Sequence, residues 1–314
     1  TVVGEYYYLC VSHAQMVGKI IIRTCDAATD TYNPIITAAT NKRHFKMPAR
    51  HGATESPRTL LIRNLELTGG DVSGNTYDEY TTDANPGVGG SIYAGLNSRV
   101  LILSSIISNN DGKFNGGALF ISGHTNKPLL APTFTIMDSI IKNNECKPSS
   151  GSTSRGGAIY AEFVKQSRIQ TTDITGNKAK DGGVFASTNI GAGNHPSSEP
   201  TRQDLIMNKL KITNNEATGE GGGVLWTYAS GTYSKGFTLM NSEVSSNTAS
   251  DSTLGKGGAF FIRGAVYADL YNVKFSKNTA GSGEGNEMYF YDGIGFKRVV
   301  NIEWDPTSSN IKNI

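Results

Sequence analysis

The sequence lacks the marks of helical and membrane-spanning proteins. No apolar run approaches the roughly 18 residues of a transmembrane helix, so we expect no transmembrane segment. No long window keeps apolar residues at helical spacing, and the segments between apolar runs are rich in Gly, Ser, Thr and Asn. Charged residues make up only 18% of the chain, with 29 basic and 27 acidic side chains. This near balance predicts no nucleic-acid partner.

Cysteine is also scarce. The three cysteines are too few to staple a fold, and their spacing does not match a metal site, so we expect no metal and no cofactor. Cys10 and Cys25 lie near the ends of two apolar segments, where a disulfide could join adjacent strands. The alternative is three free thiols, with Cys146 in a loop.

What the chain does have is an internal repeat. The segment from Leu205 to Tyr228 alternates apolar and polar residues, reaches an Asn, turns, and starts a second apolar run after Gly222 and Gly223. The same unit recurs every 31 to 38 residues, a period typical of stacked solenoid architectures. The aligned residues are Asn110, Asn144, Asn177, Asn215, Asn247 and Asn278.

Positions are numbered here from the repeat Asn, so position −3 lies three residues before it. Apolar residues at −10 and −8 fit one period-2 strand, and those at −5 and −3 fit another, so the phase slip between them predicts a bend. Position −2 is always polar and should face water. We therefore predict an all-β, single-domain, right-handed parallel β-helix of about eight to ten coils. Position −3 should form its continuous core stack, with Ile107, Ile141, Ile174, Ile212, Val244 and Phe275.

The repeat Asn and the Gly-Gly pair have structural explanations. An Asn at the end of a strand tolerates left-handed backbone geometry, and stacked Asn side chains can form an amide ladder along the axis. The Gly-Gly pairs allow a sharp turn with positive φ before the next strand. They begin at residues 89, 116, 156, 182, 222 and 257.

The two motifs together resemble the FxxN and GGAI repeats in the passengers of chlamydial-type polymorphic outer membrane proteins and related adhesin-like β-helix proteins. The matching segments are FSKNTA (275–280), GGALF (116–120), GGAIYA (156–161) and GGAFF (257–261). The resemblance covers about residues 89 to 290 and implies a surface-exposed, adhesive protein. Only one of the six aligned repeats has Phe in the FxxN position.

The ends of the chain depart from the repeat. Residues 1–70 are predicted to be N-terminal capping coils, with strands near 2–12, 17–24 and 59–67 and a solvated basic loop from Asn41 to His44. Residues 71–290 carry the repeats and their loop insertions. Residues 291–314 are predicted to be a C-terminal capping strand on which Trp304 covers the open end.

Evidence for chemistry is sparse. A glycosidase would need two carboxylates on adjacent coils, yet position −6 has one acid, Asp138, and position −4 alternates acids and lysines from Asp173 to Lys274. The alternation favours a solvated charge ladder, so we predict no catalytic residues. The alternative is a carbohydrate-active enzyme, a polysaccharide lyase, hydrolase or epimerase, whose active residues lie on the long loops.

The strand after each Gly-Gly pair carries two neighbouring apolar columns, and neighbours in a strand face opposite ways. We expect the first column inside and the aromatic column outside, either covered by the insertions or exposed to a partner. The candidate partner face consists of Tyr93, Phe120, Tyr160, Trp226 and Phe261. The sequence thus predicts a non-catalytic protein, extracellular or at the cell surface. It would contact a protein or glycan surface, or assemble with itself end to end or side by side into a filament, sheath or appendage.

Overall fold

The computed structural model describes residues 4–10, 13–22, 34–49, 56–73, 87–124, 128–148, 153–187, 205–228, 236–264, 266–291, 295–304 and 311–313. In these ranges the chain is almost entirely β, and the one helix is a 3-10 turn at Pro128–Leu130. The strands form three sheets, of 14, 9 and 6 strands, called sheets A, B and C here.

The strand bounds follow, sheet by sheet. Sheet A contains β1 (Gly4–Cys10), β2 (His13–Ile22), β3 (Ile35–Ala38), β5 (Arg58–Arg63), β6 (Glu66–Thr68), β8 (Ser98–Leu103), β9 (Ile106–Ser108), β12 (Thr133–Met137), β13 (Ile140–Lys142), β16 (Ser167–Thr175), β19 (Leu205–Thr213), β22 (Phe237–Ser245), β25 (Tyr267–Ser276) and β28 (Gly295–Glu303). Sheet B contains β4 (Phe45–Met47), β7 (Ile92–Ala94), β11 (Leu119–Ser122), β15 (Ile159–Glu162), β18 (Phe185–Ser187), β21 (Leu225–Tyr228), β24 (Phe260–Arg263), β27 (Met288–Tyr291) and β29 (Ile311–Asn313). Sheet C contains β10 (Asp111–Gly112), β14 (Glu145–Cys146), β17 (Lys178–Ala179), β20 (Glu216–Ala217), β23 (Thr248–Ala249) and β26 (Thr279–Ala280).

Each of the six coils from β9 to β27 passes through sheet A, then sheet C, then sheet B, and the next coil stacks on it in parallel register. For example, β13 pairs with β9 on one side and β16 on the other, and β15 lies between β11 and β18 in the same way. Nine strands in sheet B give nine rungs, a rung being one coil's strand in a sheet. The predicted parallel β-helix of about eight to ten coils is confirmed.

The inner core is a set of columns that run along the axis. The residues at position −3 lie in register from rung to rung, and all six are at most 1% exposed. The stack continues to Leu67 and Ile36 at one end, and at the other Trp304 stacks on Phe275 with ring centroids 5.0 Å apart. The predicted core stack is therefore confirmed.

The predicted bend in sheet A is also present. The residue at position −6 has left-handed backbone geometry, with φ from 47° to 55° at Ser104, Asp138, Thr171, Lys209, Asn241 and Asn272. Position −5 is buried, but it is a hydroxyl residue in several coils and not uniformly apolar as predicted. Ser139 shows the reason, because its Oγ donates to the carbonyl of Met137 across the bend at 2.6 Å and accepts from the N–H of Ser105 at 3.2 Å.

The two glycines of each Gly-Gly pair have different roles. The first glycine of each of the six pairs has φ between 62° and 71°, as predicted. The second is required by the stacking of coils. A Cβ added at Gly157 would lie 2.2 Å from the carbonyl oxygen of Gly183 on the next coil.

The N-terminal part differs from the expected capping coils. Strands β1 and β2 form an antiparallel pair, and β2 pairs antiparallel with β3, so β1 and β2 extend the edge of sheet A without forming a coil. The basic segment before β4 is not wholly solvated either, because His44 is 2% exposed. The domain boundaries at residues 70 and 290 stay predictions.

Candidate functional site

The repeat Asn side chains form a continuous row through the inside of the β-helix. From Asn144 to Asn278, each Oδ1 accepts from both the backbone N–H and the Nδ2 of the Asn on the preceding coil. Between Asn144 and Asn177, for example, these distances are 3.0 and 2.9 Å. Each Nδ2 also donates to a backbone carbonyl of the preceding coil, as Asn144 does to Ile107 at 3.0 Å. All six side chains are at most 1% exposed.

The ladder Asn residues do not themselves have left-handed geometry, contrary to the sequence prediction. The residue before each of them does, as at Asn109 and Asn143, and this turn points the following side chain inward. At one end of the ladder the N–H of Gly70 donates to Asn110 at 2.9 Å. At the other end the Nδ2 of Asn278 donates to the carboxylate of buried Glu287.

His44 lies beyond the first end of the ladder. Its Nε2 lies 2.9 Å from the carbonyl oxygen of Ile36 and 3.1 Å from that of Thr68, and Ser91 Oγ lies 3.0 Å from Nδ1. A neutral ring protonated on Nε2 satisfies all three contacts. Burial lowers the pKa of His44 from 6.5 to about 4, although both carbonyl bonds oppose this change.

The candidate partner face does not lie open to solvent. Tyr93, Phe120, Tyr160, Trp226 and Phe261 point to the outer side of sheet B, away from the inner core, but their exposed fractions are only 2–5%. They pack with Tyr289 into a second hydrophobic cluster, and neighbouring rings stack face to face. Of the two alternatives, coverage and exposure to a partner, the structure shows coverage of these rings, so the candidate partner face is corrected.

Cationic side chains contribute to that cover. Arg155 lies 4.7 Å above the Trp226 ring, and Arg263 lies between the rings of Tyr228 and Tyr291 at 5.2 and 4.9 Å. A cation in this position is attracted by the negative face of the aromatic ring.

Asp181 lies beside this cover. Its Oδ2 is 4.0 Å from the Nε of Arg155, and its Oδ1 accepts from the backbone N–H of Glu220 at 2.9 Å. Burial raises the pKa of Asp181 to about 6, against the opposing effects of that hydrogen bond and of Arg155.

An open groove follows the bend of sheet A on its outer side. It has a volume of about 690 Å³ and crosses five rungs, from β16 to β28. The size is within the range of ligand-binding clefts. Positions −6 and −4 supply most of the lining, because the left-handed residue at −6 and the residue two places later both point outward. The lining at these positions consists of Thr171, Asp173, Lys209, Lys211, Asn241, Glu243, Asn272, Lys274, Asn301 and Glu303.

Two rows run along this groove. In the first, the amide of Asn272 donates to Asn241 at 2.9 Å, and Asn241 donates to Asn208 at 3.0 Å. The second consists of charged residues in direct register, whose sign alternates from rung to rung: Asp173, Lys211, Glu243, Lys274 and Glu303.

The groove was missed as a site by the sequence reasoning, which treated position −6 only as a place to look for paired acids. The charge row itself was predicted and is exposed as expected. A search for outward columns that flank the bend would have found both rows.

The groove offers little for acid–base catalysis. Each carboxylate of the charge row has lysine as its neighbour on the adjacent rung, so the row contains no two carboxylates on adjacent rungs. Lys274 and Glu303 form an ion pair at 2.8 Å, and this hydrogen bond raises the pKa of Lys274. Among the residues that the structure describes, no group of three or more His, Cys, Asp or Glu side chains could hold a metal ion.

Cys146 is the cysteine whose side chain the structure describes. Cys146 lies in β14 and is 2% exposed, so its prediction as a loop residue was wrong. Burial raises the pKa of its thiol. The proposed partner of Cys10, Cys25, lies outside the described residues. Within the described ranges, no helix is long and apolar enough to cross a membrane.

Comparison with known proteins gives one informative similarity. The chain is 29% identical over 183 residues to a protein named probable outer membrane protein pmp20 of Chlamydia pneumoniae. The match covers 56% of this chain and 10% of that protein, so the chain spans about a tenth of its relative's length. No family model matches the sequence, and no solved structure does. The chain is therefore a parallel β-helix that is similar in sequence to a chlamydial polymorphic outer membrane protein.

Proposed function

We propose that the chain is part of a cell-surface protein whose β-helix makes adhesive or structural contacts and catalyses no reaction. The groove of sheet A is the observation that carries this proposal, because it presents five rungs of polar side chains outward while the aromatic row is covered. The similarity to a probable outer membrane protein supports the location at the cell surface. The alternation of lysines and acids along the groove supports a contact function over hydrolysis.

The location is tested with antibodies raised against the purified chain. We expect them to label intact cells of the source organism, and protease added to intact cells should remove the label. Labelling that requires permeabilised cells would contradict the proposal. A periplasmic marker protein serves as the control for cell integrity.

Adhesion is tested with beads that carry the purified chain, applied to cells that the source organism contacts. The variant combines Lys211→Glu with Lys274→Glu, which gives the charge row a single sign. We expect it to lower bead attachment several-fold. The matched control combines Lys147→Glu with Lys178→Glu in or beside sheet C, where each lysine also pairs with an acid on a neighbouring rung, at 2.7 and 2.8 Å. Equal attachment of both variants would show that the groove is not the contact surface.

Self-assembly is the alternative form of contact and is tested by sedimentation velocity. A single species that does not change with concentration would support contact with other molecules. Growing oligomers would support a filament or sheath. The groove variant and its sheet C control then show whether growth occurs through the groove or elsewhere.

A further inference from the structure

The amide row in the groove retains hydrogen-bonding capacity that faces outward. A carboxamide has two N–H donors and two acceptor lone pairs. Within the row, Asn241 uses one donor toward Asn208 and one lone pair toward Asn272. Asn241, Asn272 and Asn301 are all exposed at successive rungs. The row thus offers a ligand both donors and acceptors on three successive rungs, those of β22, β25 and β28.

The charges in the groove disfavour an ionic ligand. Three lysines (Lys209, Lys211 and Lys274) face three acids (Asp173, Glu243 and Glu303), so the lining has no net charge. Because the sign changes from rung to rung, a polyanion or a polycation lying along the axis would meet a like charge at every second position. The ligand that fits this pattern is neutral.

The backbone of the groove is not free to bind a peptide as an added strand. Strands β19, β22 and β25 each pair with a strand on both sides, in register up to position −7 and again from position −5 or −4. Recognition by strand addition needs an open sheet edge. The groove therefore offers no open sheet edge to a peptide, and its outward side chains supply the contacts that a ligand can make.

We propose that the groove binds a neutral, extended glycan that lies along the β-helix axis with about one sugar ring at each rung. Sugar hydroxyls both donate and accept hydrogen bonds, which matches carboxamides that also do both. Successive rungs are about 4.8 Å apart, close to the length of one ring in an extended chain. This inference rests on the proposed contact function and names the ligand class for the same groove.

The test is isothermal titration of the purified chain with linear β1,4-linked hexasaccharides of glucose, N-acetylglucosamine and xylose. We expect at least one of them to bind, and the corresponding disaccharide to bind more weakly because it reaches fewer rungs. Heparin and polylysine are the charged probes, and neither should bind in the groove. Lack of binding by all three hexasaccharides at millimolar concentration would overturn the proposal, as would stronger binding of a charged probe.

The glycine variant combines Asn241→Gly with Asn272→Gly, because glycine keeps the positive φ of both positions, 50° and 51°. Loss of both carboxamides should weaken hexasaccharide binding by roughly tenfold to a hundredfold. The matched control combines Thr248→Ala with Thr279→Ala. These side chains lie on the same two coils in sheet C and also contact each other between rungs, at 3.2 Å. Equal loss in both variants would contradict binding in the groove.

If the glycine variant does not fold, Lys211→Gln with Lys274→Gln replaces it, and unchanged binding in that variant would count against the groove.

The bead assay separates this proposal from the proposed function. Attachment that survives glycosidase treatment of the target cells, together with no hexasaccharide binding, would reject the glycan and keep the contact role. No bead attachment to untreated cells, together with no hexasaccharide binding, would reject both the contact role and the glycan. Shortened oligosaccharides in the titration mixture would instead support the carbohydrate-active enzyme.

Discussion

Replacement of Asn215 by alanine tests whether the buried amide ladder stabilises the β-helix. The Oδ1 of Asn215 accepts from the N–H and the Nδ2 of Asn177, at 2.9 and 3.0 Å. Its Nδ2 donates to Asn247 at 2.9 Å and to the carbonyls of Ile174 and Thr213 at 3.2 and 3.0 Å. The substitution removes all five bonds from a site that is 1% exposed.

The cost depends on which partners lose their only bond. The Nδ2 of Asn177 keeps the carbonyl of Ile141 as an acceptor, and the Oδ1 of Asn247 keeps the N–H of residue 215. The backbone N–H of Asn177 loses the acceptor that it has in the ladder, and a buried donor left in this way costs about 1–3 kcal/mol. The carbonyls of Ile174 and Thr213 also lose the donor that Asn215 supplies. We therefore expect Asn215→Ala to lower the free energy of unfolding by about 3 kcal/mol.

The measurement is urea unfolding followed by circular dichroism, with the m-value compared between variants. An unchanged m-value shows that the same surface unfolds, which matters because coils of a solenoid can unfold separately. Asn241→Gly is the control, since it removes a carboxamide from the exposed row and should change stability by no more than about 0.5 kcal/mol. If Asn215→Ala also lowered the free energy of unfolding by no more than about 0.5 kcal/mol, the ladder would be refuted as a source of stability.

Three further outcomes are expected. Ile141→Asp should lower the free energy of unfolding by more than about 4 kcal/mol in urea titrations, because it buries a carboxylate, whereas Lys at its outward neighbour Ile140, opposite Asp173 on the next rung, should cost under about 0.5 kcal/mol; similar losses would contradict the core register. Gly157→Ala should cost at least about 2 kcal/mol through its 2.2 Å clash, more than Ala at Gly283, where nothing lies within 4 Å of an added Cβ and the cost is that of a φ of 73° alone; calorimetry compares the two, and equal melting points would count against the close stacking of coils. His44 should lower the free energy of unfolding as pH falls from 6.5 to about 4, because the unfolded chain takes up the proton at a higher pH than the folded chain does. Urea unfolding measured across this pH range should show a smaller loss of stability for His44→Gln. Identical dependence of stability on pH in both proteins would contradict the lowered pKa of His44.

Much of the repeat architecture could be predicted because β-helix geometry acts on single positions. The Ile column at −3 is apolar in every coil since each copy meets the same interior, and the phase slip appears in sequence because the left-handed residue at −6 reverses the alternation. Positive φ at the first glycine of each pair was predictable for the same reason. The antiparallel pairing of β1 and β2 could not be predicted, because side chains alternate between the two faces in the same way in antiparallel and parallel strands.

Prediction of the site was weaker. The outward direction of the aromatic column followed from strand alternation, but its coverage depends on side chains far away in sequence, such as Arg43 above Tyr93. His44 was placed in a solvated loop because its neighbours are basic, whereas polar atoms of Ile36 on its own coil and of Thr68 and Ser91 on the next coil surround its ring. Nothing in local sequence reports such contacts.

The sequence by itself determined the repeat period, the strand pattern and the residues that fill the inner core, because these follow from local alternation and from identical environments in successive coils. Only the tertiary structure decided which outward residues are covered and which line a groove. Exposure depends on what packs above a residue, and the groove exists because the bend in sheet A places positions −6 and −4 of five coils side by side. The alternating charges of residues 173 to 303 are scattered over most of the second half of the chain, and stacking alone brings them into one row.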